Sequence, residues 1–202
     1  MHTPWETERL LMCPLTPDDL DRLTELDADP AVMRYLNGGR PTPRETLRTQ
    51  DLPRMLRRHP GLGAGPGTVG YWAARERATR EFLGWFEFRP LWEAEPYEVE
   101  LGYRLRRAVW GRGYATEGAR ALLRRGFTEL GVRRVTAHTM TVNTASRRVM
   151  EKAGLRFVRT SFGDWPDPIE GSEQGDVEYA MTRAEWEARE ARERRRAGLR
   201  NG

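Results

Sequence analysis

The most regular hydrophobic pattern in the chain is an alternation of apolar and polar residues over positions 97–105. It puts two sets of side chains on opposite sides: Tyr97, Val99, Leu101, Tyr103 and Leu105 on one, and Glu98, Glu100, Gly102 and Arg104 on the other. Because successive side chains of a strand point to opposite faces, this period of two predicts a β-strand. Apolar runs at 69–75 and 82–88, separated by a polar turn near residue 79, predict an antiparallel hairpin before it.

Helical periodicity follows this strand. After Gly111-Arg112-Gly113, apolar residues recur at helical spacing up to Gly131, a helix-ending residue: Ala115, Ala119, Leu122, Leu123, Phe127 and Leu130. Asn143 is a predicted N-cap for a second helix that ends before Gly154. Further helices are predicted at 17–28, 30–36 and 43–58, a polar helix from residue 183, and strands at 9–15, 135–142, 155–159 and 176–182.

This order of elements predicts an α+β domain with a mixed sheet rather than a regularly alternating, doubly wound fold. The chain has 202 residues, which suits one domain. We predict that the domain covers residues 1–185 and that residues 186–202 form a polar, basic C-terminal helix and tail. A solvated tail is favoured over an RNA contact.

Composition narrows the function classes. Cys13 is the only cysteine, so neither an internal disulfide nor a cysteine-based zinc site can form, and we expect a reducing, cytoplasmic location. The polar start argues against a secretory signal, and no apolar run approaches bilayer length. The net charge is +4, but acidic residues are interspersed with the arginines, which argues against a nucleic-acid stripe. The three histidines are too scattered to indicate a metal site, and His138 is expected to be a packed or surface residue.

Candidate chemistry begins at the glycine turn. Gly111 and Gly113 let backbone N–H groups face a ligand, and the N-terminus of the following helix adds positive partial charge. This arrangement suits a pyrophosphate. It is neither a P-loop nor a dinucleotide fingerprint, because the required lysine and third glycine are missing. On the glycines alone, an ordinary connector is equally well supported.

The surrounding sequence favours a ligand site. The segment Gly111-Arg-Gly-Tyr-Ala-Thr-Glu117 and the later segment Asn143-Thr-Ala-Ser-Arg-Arg-Val-Met-Glu-Lys-Ala-Gly154 resemble the GNAT acetyltransferase superfamily, most closely its Rim-type branch. The resemblance is specific over residues 97–158 and looser over 8–182. It implies a single domain whose largely antiparallel mixed sheet is flanked by helices and splayed where acyl-CoA binds.

The resemblance also implies acetyl-CoA as cosubstrate, without a metal. Pantetheine would insert beside the backbone of Tyr103, Arg104 and Leu105, and the diphosphate would bind the loop. The residues implied at the loop are Arg107, Trp110, Gly111, Arg112, Gly113, Tyr114, Ala115 and Thr116. Ala108 stands where the family usually has Gln or Arg, which weakens the case for side-chain contacts. Trp85 and Trp110 are expected to fill core.

Catalysis requires a base, because an amine attacks a thioester only when it is neutral. Glu98 and Glu100 share the polar face of a strand that should be central, where charges need a reason to be present. The Rim-type pattern favours Glu100, with Glu98 as the second candidate. By resemblance Asn143 and Ser146 meet the pantetheine arm, with Ser146 nearest the departing thiolate. A pure helix cap is the alternative for this pair.

The acceptor is not defined by the sequence: a small-molecule amine and a protein N-terminus both fit. Its walls are expected at 31–39, 60–70 and 165–175. A homodimer is compatible with the resemblance. The alternative function is a non-catalytic acyl-CoA-binding regulatory module on the same fold.

Overall fold

The structure is a computed structural model that describes residues 4–57, 69–92, 95–163 and 167–198. Its strands are β1 (Trp5–Glu6), β2 (Leu10–Pro14), β3 (Gly70–Glu76), β4 (Phe82–Trp92), β5 (Glu95–Leu105), β6 (Arg134–Met140), β7 (Arg156–Ser161) and β8 (Asp176–Thr182). Its helices are α1 (Leu20–Ala28), α2 (Pro30–Asn37), α3 (Arg44–Thr46), α4 (Leu52–Met55), α5 (Tyr114–Thr128), α6 (Thr144–Ala153) and α7 (Arg183–Gly198). A π-helical segment, Leu47–Asp51, joins α3 to α4.

One sheet carries all eight strands in the order β1-β2-β3-β4-β5-β6-β8-β7. Every neighbouring pair is antiparallel except β5 and β6, which run parallel. The sequence-based prediction of an α+β domain with a mixed, largely antiparallel sheet is therefore confirmed. The short strand β1 has no counterpart in the sequence prediction, β4 continues four residues beyond its predicted end, and β6 ends before Thr141.

Helices cover both faces of this sheet. On β3, Trp72 and Ala74 join the larger core cluster with residues of α5 and α6, whereas Tyr71 and Ala73 join the cluster with residues of α1 and α4. Neighbouring residues serve opposite cores because side chains alternate along a strand. The C-terminal helix α7 is anchored at its start, where Trp186 packs 5.7 Å from the ring of Phe127. No helix within the described ranges is long and apolar enough to cross a membrane.

The parallel contact between β5 and β6 is short, and this determines where the cleft lies. It joins residues 98–100 to residues 134–136, and the remaining parts of the two strands diverge. On its other edge β5 stays paired with β4 as far as Leu105, which is opposite Gly84. The C-terminal half of β5 therefore has one paired edge and one edge that faces an opening toward β6. The splay expected from the family resemblance is confirmed.

Candidate active site

A cleft of about 860 Å³ opens at this splay. Its lining comes from the diverging ends of β5 and β6, the segment that runs into α5, the first turns of α6, helix α2 and the segment after residue 166. The cleft has two sides that differ in chemistry. One is built from backbone, glycine and hydroxyl groups beside α5 and α6, and the other from charged side chains on the sheet face toward α1 and α2.

The glycine turn supplies the first side. Gly111 has φ of 73° and Gly113, the N-cap of α5, has φ of 86°, a backbone region that is costly for residues with a Cβ. No heavy atom outside residues 110–112 lies within 4 Å of the position that a Cβ of Gly111 would take. The sequence signal at these glycines therefore reflects a real conformational requirement. The turn places the N-terminus of a 15-residue helix at the cleft.

Two residues that were not among the predicted site residues hold this turn in place. Glu117, in the first turn of α5, accepts hydrogen bonds from the Arg9 backbone N–H at 2.8 Å and from Arg9 Nε at 2.7 Å. Arg9 Nη1 also donates to the Arg112 carbonyl at 2.9 Å. Burial raises the pKa of the Glu117 carboxyl, but hydrogen bonds from Thr7 and Arg9 outweigh it and hold the pKa below its usual range. Through Arg9, Glu117 thus helps to fix the position of the glycine turn, although Glu117 itself does not line the cleft.

Most of the predicted coenzyme residues line the cleft together: Tyr103, Arg104, Leu105, Trp110, Gly111, Gly113, Tyr114, Ala115, Thr116 and Asn143. Arg107 and Arg112 belong to the same segment but are not part of the lining. Trp110 is 48% exposed, so the expectation that it fills core is wrong. Its indole N–H donates to the Leu105 carbonyl at 2.8 Å, which ties the loop to the end of β5. Trp85, in contrast, is buried as expected.

Arg104 faces away from the loop. Its guanidinium pairs with the buried carboxylate of Asp27 and lies over the ring of Trp85, 5.0 Å from the ring centroid. Because Arg104 has an even position on β5, it shares the face of Glu100 rather than that of Tyr103. Its side chain therefore belongs to the charged side of the cleft, and only its backbone borders the splay.

Four polar side chains meet where β5 and the end of β6 approach α6: Tyr103, Thr139, Asn143 and Ser146. The Asn143 side chain caps α6 by accepting from the Ser146 N–H at 3.2 Å, and it donates to Thr139 Oγ1 at 3.0 Å. The Tyr103 hydroxyl lies 3.0 Å from Ser146 Oγ and 3.1 Å from the Ser146 carbonyl. Burial raises the pKa of the Tyr103 phenol far above its usual range, so it stays protonated. Asn143 therefore both caps α6 and lines the cleft.

Glu100 lies on the charged side, at the last position where β5 pairs with β6. Arg89 Nη2 donates to its Oε2 at 3.0 Å, and His138 Nδ1 lies 3.3 Å from its Oε1. Burial raises the pKa of the Glu100 carboxyl, but the hydrogen bond with His138 and the charge of Arg89 outweigh it and hold the pKa below its usual range. An ionised carboxylate therefore lines the cleft.

Glu98 points to the same sheet face but does not line the cleft. It accepts a hydrogen bond from Arg134, its register partner on β6. Arg134 also donates to Glu178 on β8 at 2.9 Å. The structure therefore brings Glu100, and not Glu98, to the opening.

A further carboxylate on this side was missed by the sequence prediction. Glu87 on β4 is opposite Gly102 on β5 and is 8% exposed. Because Gly102 lacks a side chain, the carboxylate lies across it, and a Cβ at residue 102 would be only 2.9 Å from Glu87 Oε2. Burial raises the pKa of Glu87, partly offset by its ion pair with Arg89. The sequence feature that could have identified Glu87 is the presence of a glutamate inside the otherwise apolar run at 82–88.

The outer wall of the charged side is apolar and aromatic. Tyr35 and Leu36 of α2 contribute to it, together with Ile169 from the segment after residue 166. These residues fall within the predicted walls at 31–39 and 165–175. Of the third predicted wall, at 60–70, the structure describes only Val69 and Gly70, which are buried. Among the described residues, no group of three or more His, Cys, Asp or Glu side chains is arranged to hold a metal ion.

Comparisons with known proteins agree with this geometry. The family model described as "Acetyltransferase (GNAT) domain" matches residues 9–156. The FsC-acetyl coenzyme A-N(2)-transacetylase of Aspergillus fumigatus is 38% identical over 188 residues, which cover 89% of this chain and 76% of the relative. The YkkB protein of Bacillus subtilis is 34% identical over 165 residues, covering 81% of this chain and 90% of that protein.

A solved structure gives the same fold. The acetyltransferase (GNAT family) from Bacillus anthracis superimposes with a TM-score of 0.72 at 23% identity, covering 90% of this chain and 99% of that one. The chain belongs to the GNAT acetyltransferase family. It is an acyl-CoA-dependent N-acetyltransferase, and the acetyl donor of this class is acetyl-CoA.

The residues of the first side fit this donor. The helix N-terminus and its glycine turn suit a diphosphate, and the diverging edge of β5 offers backbone groups to an extended amide-containing arm. Arg148 and Lys152, one turn apart on α6, also line the cleft. They add positive charge to this side of the cleft.

Proposed function

We propose that this enzyme acetylates a primary amine of a small molecule, with Glu100 as the base and the Tyr103–Ser146 pair on the side of the leaving sulfur. The observation that carries the proposal is the placement of the glycine turn and Glu100 on the two sides of one cleft, at the point where β5 and β6 separate. The name of the Aspergillus relative, an N(2)-transacetylase for FsC, supports a nitrogen acceptor.

Acetyl-CoA supplies a thioester whose carbonyl carbon accepts the amine. In the transfer a C–N bond forms and the C–S bond breaks, the amine loses a proton and the sulfur leaves with the bonding electron pair. Glu100 is ionised and therefore able to take that proton, directly or through water. Glu98 forms an ion pair with Arg134 and does not line the cleft, which supports Glu100 rather than Glu98 as the base.

The leaving sulfur needs a hydrogen bond or a proton as negative charge develops on it. A tyrosine hydroxyl carries one proton, so Tyr103 can donate either to Ser146 Oγ or to the Ser146 carbonyl. When it donates to Oγ, the serine O–H is free to point into the cleft. This arrangement supports Ser146 as the contact to sulfur, with Tyr103 orienting it.

The charged side favours a positively charged acceptor. Glu87 and Glu100 share one guanidinium, that of Arg89, and Asp176 also lines the cleft. An ammonium group is attracted to such a site before it loses its proton. The aromatic and aliphatic wall of Tyr35, Leu36 and Ile169 suits an apolar part of the same molecule.

The test has two stages. Calorimetric titration with acetyl-CoA compares the wild-type protein with the double variant Gly111→Glu, Gly113→Glu, for which we expect affinity to fall at least about 100-fold. Gly131→Glu is the matched control, because Gly131 also has positive φ (77°) but lies at the other end of α5. Equal loss in the control would assign the effect to backbone strain and remove the support for a coenzyme loop.

In the second stage, thiol release is measured with a panel of small primary amines and with peptides that have a free N-terminus, and mass spectrometry identifies the acetylated product. Preference for small amines supports the proposal. Preference for peptides favours the protein N-terminus as acceptor and with it the Rim-type resemblance, which is so far a prediction. Coenzyme binding without turnover on any acceptor would favour a regulatory module.

A further inference from the structure

The carboxylate proposed as base belongs to a continuous chain of ion pairs that passes through a histidine. Arg89 forms ion pairs with both Glu87 and Glu100. His138 lies between Glu100 and Glu178: its Nδ1 is 3.3 Å from Glu100 Oε1, and its Nε2 is 4.0 Å from Glu178 Oε2. Glu178 is 7% exposed and is held by Arg134 at 2.9 Å and Arg159 at 2.8 Å, and Arg134 also holds Glu98. The chain crosses five strands, from β4 to β7.

This network lacks one positive charge. It contains four carboxylates and three guanidiniums among the described residues, so one negative charge is uncompensated while His138 is neutral. Protonation of His138 removes that imbalance. A partly buried group of carboxylates with one unpaired negative charge attracts a proton to the titratable site within it.

The ionised state of Glu100 depends on the groups that bind it. Burial raises the pKa of the Glu100 carboxyl, but the hydrogen bond with His138 and the charge of Arg89 outweigh burial and hold the pKa below the usual range. The hydrogen bond with Glu100, followed by the charges of Glu100 and Glu178, raises the pKa of His138 above its ordinary value despite burial and the charge of Arg159. Glu100 and His138 therefore stabilise each other as a charged pair, with the Nδ1–H of His138 donating to the Glu100 carboxylate.

Two other titratable carboxyl groups lie close to this pair. Glu87 has a raised pKa, but it is 8% exposed and faces Arg89. Asp176 on β8 also has a raised pKa because of burial, opposed by the charge of His138. The His138 side chain is 41% exposed and lines the cleft, so it has both a hydrogen bond to Glu100 and access to water.

We propose that His138 is a positioning residue: as an imidazolium it orients Glu100 and keeps that carboxylate ionised between turnovers. The amine N–H bond breaks as the proton passes to a free lone pair of the Glu100 carboxylate, and the carboxyl group then releases that proton to water in the cleft. His138 keeps its own Nδ1 proton, directed at Glu100 Oε1, throughout. This inference rests on the proposed function, because it assigns the group that prepares Glu100 to take the proton that the amine must lose.

The first experiment needs no substrate. The imidazole signals of the whole protein are followed by NMR against pH in the wild type, in His138→Gln and in Glu100→Gln. The chain has only three histidines, so the signal that disappears in His138→Gln assigns residue 138. We expect its midpoint to lie above the ordinary 6.5 and to fall by about 0.5 to 1 pH unit in Glu100→Gln. An unchanged His138 midpoint in Glu100→Gln would show that the two side chains are not coupled and would overturn the proposal.

The second experiment measures kcat at saturating substrates against pH. Glutamine at 138 can still hydrogen-bond Glu100 but cannot carry a positive charge. The pKa of Glu100 should therefore rise, so we expect kcat to fall about tenfold and its acid limb to move to higher pH. In His138→Ala, added imidazole should restore part of the rate. A loss that is equal at every pH, without rescue by imidazole, would mean that His138 is only structural. If no amine is acetylated, the proposed function fails, while the NMR titration still decides whether Glu100 and His138 are coupled.

Discussion

The two sides of the cleft are built in different ways. The side beside α5 and α6 uses backbone groups, two glycines and a helix N-terminus, which lie within one short stretch of chain. The opposite side uses charged and titratable side chains from four strands, β4, β5, β6 and β8, among them Glu87, Glu100 and His138. A local motif can be found in a sequence, whereas a set of residues assembled by strand order becomes visible only in the folded sheet.

The largest expected effect is on the charged side. Replacing Glu100 with Gln keeps its size but removes the negative charge that accepts a proton, so kcat should fall about 100- to 1,000-fold. Affinity for acetyl-CoA, measured by calorimetry, should change less than about twofold, because the donor uses the other side.

Glu98→Gln is the matched control, since it makes the same chemical change two residues earlier on the same face of β5. Its kcat should fall less than about threefold. Loss of activity in Glu98→Gln with activity retained in Glu100→Gln would reverse the assignment of the base.

The next effect is on the hydroxyl pair. Tyr103→Phe removes one hydrogen bond of about 1.4 kcal/mol, so kcat should fall about tenfold. If Tyr103 acts by orienting Ser146, the double variant Tyr103→Phe, Ser146→Ala should be no slower than Ser146→Ala alone. Rate losses that multiply would show that the two hydroxyls act independently.

The smallest effect concerns charge beside α6. Lys152→Ala should weaken acetyl-CoA binding about two- to fivefold at low salt, and the difference should shrink as salt screens the interaction. Arg194→Ala is the control, because Arg194 is also exposed but lies on α7, away from the cleft. Calorimetry at two salt concentrations measures both. An identical change in Arg194→Ala would show that the effect of Lys152→Ala comes from the lower net charge of the protein and not from the position of Lys152 at the cleft.

Much of the fold could be predicted because the relevant signals are local. The period of two over 97–105 and the helical spacing after Gly113 predict β5 and α5 with small errors at their ends. The strand after residue 134 ends earlier than predicted because the chain turns at Met140, where the Asn143 N–H donates to the Met140 carbonyl at 2.9 Å. Strand β1 is only two residues long, too short for any periodic signal.

The residues of the candidate site also divide into those that local sequence signals identify and those that only the folded structure brings together. The predicted residues Gly111, Gly113, Asn143 and Ser146 line the cleft, because each lies at a helix start whose capping residues are recognisable from sequence. Arg9 and Glu117 could not be paired from sequence, since 107 residues separate them. His138 could not be assigned a role for a related reason: its partners, Glu100 and Glu178, lie on other strands.

The sequence by itself determined most of the elements, the anion-binding turn and the family resemblance, because these depend on residues within a helix turn or a strand repeat of one another. Tertiary structure alone decided which of two glutamates faces the cleft and which histidine neighbours it. Strands β5 and β6 pair over only three residues before they diverge, and Glu98 and Glu100 lie at the two ends of that contact. A displacement of two residues along one strand thus separates a carboxylate held in an ion pair with Arg134 from the one that lines the cleft.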